Sequence, residues 1–511
     1  MNKPRYYITT PIYYVNDAPH LGHAYTSLAC DVLARFKRLD GYEVHFLTGT
    51  DEHGQKVQKS AENAGFSCQE FTDKVSRNFR DLSKLMNFSN DDFIRTTEER
   101  HKKGVQHLWN VLLEKGYLYL SSYAGWYAMR DEAFYDESEL KQGSDGKMIA
   151  PSGAPCEWVE EPSWFFKLSA FQEPLLAFFE ANPNFIMPHS RRNEVISFVK
   201  SGLRDLSVSR TSFHWGIDIP NQPGHIMYVW LDALANYLSA IGYPNEQYKE
   251  HWPADLHMVG KDILRFHAVY WPAFLMAADI ALPKRVFAHG WWTVEGQKMS
   301  KSLGNAITPQ SLVEKYGLDP SRYFLLREVP FGQDGDFSHG QMQRRMNGEL
   351  SNDLGNLAQR VLSMVQRYFE GMLPALPMPL QPEDKALLQD AHHMVEQVRK
   401  FLDEQAFHRA LEAIWQVIGA ANRYVDSVAP WKLSKENIIR CGEVLAVLVE
   451  TIRHVAVVLQ PFMPQASENL LNLLGIRPQQ RLLADLQTPM SSGNILPPPQ
   501  PLFPRLVEET P

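Results

Sequence analysis

Two short runs in this sequence carry residue types suited to phosphate chemistry. The first is His20-Leu21-Gly22-His23, with an imidazole at each end and a glycine inside. Imidazole N–H groups can donate hydrogen bonds to phosphate oxygens as charge builds in a transition state. Glycine, lacking a side chain, lets a flat base or sugar approach the backbone. The second run is Lys298-Met299-Ser300-Lys301-Ser302, followed by Leu303-Gly304-Asn305. Two lysines around a Met-Ser step make a cationic loop that can close over a triphosphate and neutralise a leaving pyrophosphate. Each run alone has an ordinary reading, as a turn with two solvated histidines or a solvated basic loop. The pair is far more specific than either member.

The elements around these runs must bring them to one place. Tyr6 to Tyr14 is rich in strand-favouring residues, and Ala24 to Leu39 carries Leu28, Val32, Leu33 and Phe36 at the spacing of one helical face. The tetrad therefore falls at a strand-to-helix junction, where unpaired N–H groups and the helix dipole favour a phosphate. Three later strands end in polar, glycine-bearing clusters. Val44 to Leu47 runs into Thr48–Gly54 before a helical stretch from about Gln55. Leu256 to Val259 runs into Gly260-Lys261-Asp262, and Val286 to Ala288 into His289-Gly290. An open parallel sheet binds its ligands beyond the carboxyl ends of its strands, and this repetition predicts one.

From about Tyr117 to Trp215 the strand–helix alternation stops and aromatics become dense, among them Tyr123, Trp126, Tyr127, Phe134, Tyr135, Trp158, Trp164 and Phe165. We read this stretch as an inserted domain, with residues 142–155 as a loop inside it. After about Asn347 the pattern turns helical. Apolar residues step by three and four through Leu387–Phe401, Phe407–Val425 and Ile438–Leu459, which predicts an antiparallel bundle. Pro374–Pro379 links its first two helices, and from Pro489 only a tail or packing strap is expected. The fold class expected is α/β: a Rossmann-like parallel-sheet catalytic domain with an inserted connective domain, followed by an all-α antiparallel helical bundle. The divisions are 1–116 and 216–290 for the catalytic domain, 117–215 for the insertion, 291–350 for the basic loop and a stem-contact region, and 351–511 for the bundle and tail.

A chain of 511 residues exceeds one ordinary core, and two to four domains are expected. Val444 to Phe462 is the most apolar long stretch, but Glu450, Arg453 and His454 interrupt it, so it reads as a buried helix and no membrane span is expected. The start runs straight into a strand without a signal-peptide h-region, and a cytoplasmic location is expected. Cys30, Cys68, Cys156 and Cys441 lie far apart, suggesting neither a disulfide framework nor a zinc knuckle. A net charge of −8 does not advertise a nucleic-acid binder, yet a local basic groove can hold phosphates on an acidic protein.

The HxGH tetrad, the distant Lys-Met-Ser-Lys-Ser run and the bundle behind them resemble the class I aminoacyl-tRNA synthetases, and among those the methionyl family. The resemblance covers essentially the whole chain, including Tyr228–Ala233, Gly260–Ile263 and Ala429-Pro430-Trp431. It implies activation of methionine by ATP, carried with Mg²⁺, and transfer of methionyl to the 3′ end of initiator and elongator tRNA(Met). It places the catalytic groups at His20, His23, Lys298 and Lys301, and the ATP site at His20, Gly22, His23, Gly260, Asp262, Lys298, Ser300 and Lys301. The methionine site falls on Ile12, Asp51, Trp230, Ala233, Tyr237, Ile263, His267 and Trp271.

Residue chemistry agrees with that carry-over. Asp51 ends a strand at the crevice and can pair with an ammonium. Trp230 and Tyr237 share a face if Trp230 to Ala240 is helical, as do His267 and Trp271 at a spacing of four. An aromatic cage with one hydroxyl and one imidazole suits a polarizable thioether, although such aromatics are also ordinary core residues. In the bundle, Trp431 follows Pro430 at a helix end, and Asn356 and Arg360 lie one turn apart; in the family these positions match readers of the CAU anticodon. Many relatives bind zinc through cysteine clusters in the insertion. Tyr127–Glu132 has no cysteine here and Cys156 stands alone, so no structural zinc and no other resident metal is expected. A monomer is expected. The competing readings are another class I synthetase, a catalytically silent tRNA-binding relative, and a small-molecule nucleotidyltransferase for which the bundle would have no role.

Overall fold

The computed structural model describes residues 3–15, 18–143, 146–298 and 307–506. It divides into two compact units, Arg5–Cys30 with Val44–His289, and Asp31–Glu43 with Gly290–Pro511. Helix α1 (Leu21–Leu39) begins inside the tetrad, three residues earlier than its apolar periodicity suggests.

The first unit is built on a parallel sheet. Its strands β1 (Arg5–Thr9), β2 (Tyr13–Tyr14), β3 (Glu43–Asp51) and β4 (Asp92–Arg95) are joined by Leu256–Gly260, Val286–His289 and Ile186–Met187. The order is Ile186–Met187, Val286–His289, Leu256–Gly260, β1, β3 and β2, with β4 also on β3. The single first strand expected over 6–14 is two strands. Pro11 lies between them and has no N–H to offer a ladder. The six residues Phe46–Asp51 of β3 are all buried, as expected of a parallel strand covered on both faces. Register sets the rim: Thr9 lies opposite His257, Gly260 opposite His289, and Tyr14 opposite Asp51. The polar clusters singled out in the sequence therefore leave the sheet at its carboxyl edge.

The insertion forms a second, antiparallel sheet within this unit. Leu118–Ala128 pairs with Pro155–Phe166 from Leu118↔Phe166 to Tyr127↔Glu157, flanked by Ala133–Tyr135, Met148–Ile149, Lys141–Gln142 and Leu206–Ser207. Aromatic pairs across it include Tyr119 with Phe165, stacked at 5.7 Å, and Trp126 with Trp158 at 5.5 Å. The stretch 117–215 is not wholly separate from the catalytic sheet, since Ile186–Met187 pairs parallel with Val286–Phe287 and forms its edge.

The second unit is mainly helical. Its small sheet joins Trp292–Val294 to Gln297–Lys298 and Gly335–Phe337. The bundle contains Asn356–Phe369, Pro382–Asp403, Phe407–Val428 and Ile438–Leu459, the last three close to their apolar periodicity. Val444 to Leu459 is buried throughout, and the charges interrupting it neutralise each other: Arg453 lies 2.5 Å from Glu450. Arg322, fully buried, is held by Asp31 at 2.6 Å and by the carbonyls of Pro461 and Phe462. The proline-rich end is a strap: Leu496 and Phe503 are buried and Ile495 bridges Met372. Among the described residues, no helix is long and apolar enough to cross a membrane.

Candidate active site

The tetrad sits at the first turn of α1. The backbone N–H of His20 donates to Nδ1 of His23 at 3.1 Å, and that of Gly22 to Nδ1 of His20 at 3.0 Å. With Nδ1 accepting in both rings, the proton of each neutral imidazole sits on Nε2. The rings stack at 3.7 Å, and Tyr13 and Phe79 meet His23 edge-on. Burial, and then the neighbouring His20, hold the pKa of His23 well below the usual histidine value. His23 is thus a neutral hydrogen-bond donor at pH 7. A Cβ on Gly22 would meet the His20 ring at 2.9 Å, so any side chain there would displace that ring. The strand Val286–His289 joins this corner through His289, whose Nε2 is 2.7 Å from Thr26 Oγ1, one turn along α1.

Asp51 closes β3 and is almost fully buried, and its Oδ1 has no hydrogen-bond partner among the described residues. Burial, then the charges of Asp232 and Glu132, push its pKa well above the usual carboxylate range. A buried carboxyl with an open acceptor and two acidic neighbours favours a cation. Glu132 itself is pushed up by burial to about 7, and its Oε1 comes so close to Gly54 that a Cβ there would lie at 2.3 Å. Gly54 also has a φ of 108°, which side-chain-bearing residues rarely adopt.

The aromatic cage assembles around Tyr237. Helix Val229–Leu234 carries Trp230 and Ala233, and after a break at Ala235 helix Asn236–Ser239 carries Tyr237; the unbroken helix expected over 230–240 is two pieces. His267 lies in a π-turn, Phe266–Tyr270, that leads into Trp271–Ala277. Such wide turns recur at functional sites. His267 Nδ1 lies 2.9 Å from the Ile263 carbonyl, to which it donates; Nε2 then accepts from the Tyr237 hydroxyl at 2.6 Å. Burial lowers the His267 pKa to about 4. Trp230 stacks on Phe266 at 3.7 Å with its edge towards His267, and Tyr237 meets Trp271 at 6.0 Å. Ile12, Trp230 and Ile263 are partly buried on the same core, and Ala233 is buried. The raised pKa of Tyr237 has burial as its main cause and the charge of Asp51 among the lesser ones.

His257 was not found from the sequence. Its Nε2 accepts from Trp271 Nε1 at 3.3 Å and its Nδ1 faces Thr9 Oγ1 at 2.7 Å, so it anchors the cage to β1. Gly260 and Asp262 leave the neighbouring strand at the same rim. The Asp262 carboxylate folds back so far that a Cβ on Gly260 would lie 2.5 Å from it. Lys298 ends the strand Gln297–Lys298; Met299, Ser300, Lys301 and Ser302 lie outside the described residues.

A cavity of about 450 Å³ opens between the inserted sheet and helix Gln55–Ala64, lined by Lys56, Tyr127, Arg130, Phe134 and Arg210 among others. Arg210 is buried among the rings of Phe134, Tyr228 and Tyr127, and its Nε and Nη2 have no hydrogen-bond partner among the described residues. Cys156 packs nearby with Ala128, Ala150 and Ala154. No group of three or more His, Cys, Asp or Glu side chains suited to a metal occurs among the described residues.

In the second unit, Asn356 and Arg360 lie on helix Asn356–Phe369 and Trp431 on Pro430–Glu436. Trp431 is 39% exposed, so part of its ring is open to solvent. The Arg360 guanidinium lies 5.9 Å from the ring centre and is held by Asp426 at 2.8 Å.

The chain is similar to known proteins along nearly its whole length. The family described as tRNA synthetases class I (M) matches residues 6–362, and the anticodon binding domain of methionyl tRNA ligase matches 377–510. The chain is 55% identical over 509 residues to a methionine–tRNA ligase of Rickettsia felis, covering 98% of this chain and 99% of that protein. It is 53% identical over 511 residues to one of Brucella suis, covering 99% of each. Among solved structures it resembles Mycobacterium tuberculosis methionyl-tRNA synthetase in complex with methionyl-adenylate, with a TM-score of 0.96, 50% identity and coverage of 98% of this chain and 100% of that one. The apo form of the same enzyme gives 0.90 at 46% identity, with 99% of each chain covered.

Proposed function

The chain belongs to the methionyl family of class I tRNA synthetases, and from that we infer how its residues divide the work of methionine–tRNA ligation. The protein is an ATP-dependent ligase that activates methionine to methionyl-adenylate and transfers methionyl to tRNA(Met), for initiation and elongation. The observation that supports the assignment of the site is the Oδ1 of buried Asp51, without a hydrogen-bond partner among the described residues, whose charge acts on Tyr237 of the Tyr237–His267 pair.

In the first step a methionine carboxylate oxygen attacks the ATP α-phosphorus, and the bond to the pyrophosphate oxygen breaks. In the second a ribose hydroxyl at the tRNA 3′ end attacks the activated carbonyl, and AMP leaves. Neither step needs a covalent enzyme intermediate, so positioning and electrostatics carry the catalysis. We propose that Asp51 holds the ammonium and that Ile12, Trp230, Ala233, Tyr237, Ile263, His267 and Trp271 surround the thioether. Sulfur–aromatic contact favours this long, unbranched side chain. The Nε2–H groups of His20 and His23 and the first turn of α1 take phosphate oxygens. Gly22, Gly260 and Asp262 receive the adenosine. Lys298, Ser300 and Lys301 act on the departing pyrophosphate. ATP enters as its Mg²⁺ complex, the ion held mainly by phosphates and water.

The insertion is proposed to receive the tRNA acceptor end, with the Arg210 donors that have no partner among the described residues open to an anion in its cavity. Asn356, Arg360 and Trp431 are proposed to read the CAU anticodon, where unstacked bases suit an exposed aromatic and hydrogen-bonding side chains. A monomeric, cytoplasmic protein without structural zinc completes the proposal. ATP–pyrophosphate exchange over all standard amino acids tests it: methionine should support exchange far above leucine or valine, and equal exchange with leucine overturns it.

A further inference from the structure

Beneath the amino-acid site lies a buried chain of polar groups. His53 Nδ1 is 2.6 Å from Asp232 Oδ2, His101 Nε2 is 2.7 Å from Asp232 Oδ1, and His101 Nδ1 is 2.8 Å from Ser239 Oγ. His53, His101 and Asp232 are each at most 2% exposed. A carboxylate has only acceptors, so both imidazoles turn an N–H towards it. Burial alone would raise the Asp232 pKa, but the two histidines hold it down to about 2, and the group is a buried anion at pH 7.

The chain joins three segments remote in sequence. His53 follows Asp51 by two residues at the end of β3, Asp232 lies on the helix of Trp230 and Ala233, and His101 lies on helix Glu99–Glu114. Residues two apart on a helix point in nearly opposite directions, so Asp232 faces away from the side that Trp230 presents to the cage. Its influence reaches the site through its charge and through the residues it holds.

We propose that the His53–Asp232–His101 relay is a positioning element of the amino-acid site: it ties the Asp51 end of β3 to the cage helix and keeps a fixed negative charge behind the ammonium seat. The proposal rests on the reading of Asp51 as that seat. The relay thereby contributes to selectivity for an amino acid over the same molecule without its amino group.

The test compares calorimetric binding of methionine and of its des-amino analogue to the full-length protein. D232N should bind methionine about ten- to a hundredfold more weakly, the effect of losing a charge-assisted contact. The analogue's affinity and the KM for ATP should stay unchanged. H101L, which removes one donor, should show the same selective loss, and H101Q, which keeps an N–H for Asp232, should restore methionine binding. These two variants carry the test if D232N does not fold. Equal weakening of both ligands, or unchanged methionine affinity, overturns the proposal by reducing the relay to packing. A wild-type protein that binds both ligands equally removes the ammonium seat itself, and the relay's role with it.

Discussion

The hydroxyl of Tyr237 donates to Nε2 of His267 across 2.6 Å, in a pair that contains no charge at neutral pH. Because His267 spends its other nitrogen on the Ile263 carbonyl, the direction of this hydrogen bond is set, and the Tyr237 oxygen turns lone pairs, not a proton, to the rest of the cage. A thioether bound here as proposed would therefore meet ring faces and shape more than a hydrogen bond donated to sulfur.

Tyr237→Phe leaves the buried Nε2 of His267 without its donor. Loss of such a partner costs about 1–3 kcal/mol. We expect the KM for methionine in pyrophosphate exchange to rise about tenfold or more and the KM for ATP to stay unchanged, as measured by steady-state kinetics of the two substrates varied separately.

Asp51→Asn should abolish methionine-dependent exchange and yet stabilise the ligand-free protein. The folded pKa of Asp51 is raised above its unfolded value near 3.9, so its contribution to stability is present below that value and is lost as pH rises through the folded pKa. The variant's advantage should appear above about pH 4 and be largest at neutral pH. Thermal unfolding from pH 4 to 8 measures it; a variant less stable than wild type at pH 7 contradicts the burial of an uncompensated carboxylate.

Lys301→Ala should lower the rate of adenylate formation by about 10²–10³, the usual loss when one preorganised charge stabiliser is removed. Calorimetric methionine affinity should hardly change, since the lysine is assigned to phosphate. A parallel collapse of methionine binding would reassign the loop.

Trp431→Ala should weaken tRNA charging by about 1–3 kcal/mol, the worth of stacking one base. Pyrophosphate exchange and the folding midpoint should stay nearly unchanged, as expected for an exposed ring. Aminoacylation kinetics beside a melting curve separate this from a core defect, which would lower exchange and stability together.

Elemental analysis after dialysis should find no stoichiometric zinc, and a chelator should leave the melting temperature where it was. One tightly held zinc per chain would refute the expectation that the insertion, with Cys156 alone, has no structural zinc.

Much of the architecture was legible in the sequence because it follows local rules. The bundle helices appear as apolar residues at spacings of three and four, and the sheet rim as glycine-bearing polar clusters after short apolar runs. The break of the first strand at Pro11 and of the cage helix at Ala235 had weaker local marks. Asp51, Tyr237 and His267 are legible in the sequence only through resemblance; spacing alone does not separate a ligand cage from core aromatics.

What the sequence by itself determined was the sheet rim, the bundle helices and the presence of two motifs suited to phosphate chemistry, since periodicity, turn residues and residue chemistry act within a few positions along the chain. Only the tertiary structure decided that His257 joins Trp271 to Thr9, that Asp232 stands between His53 and His101, and that Asp51 keeps an open oxygen. Those partners lie as far as 248 residues apart. Their hydrogen bonds exist because the parallel register and helix packing bring them together in a dry interior, where every polar group must find a partner or wait for a ligand.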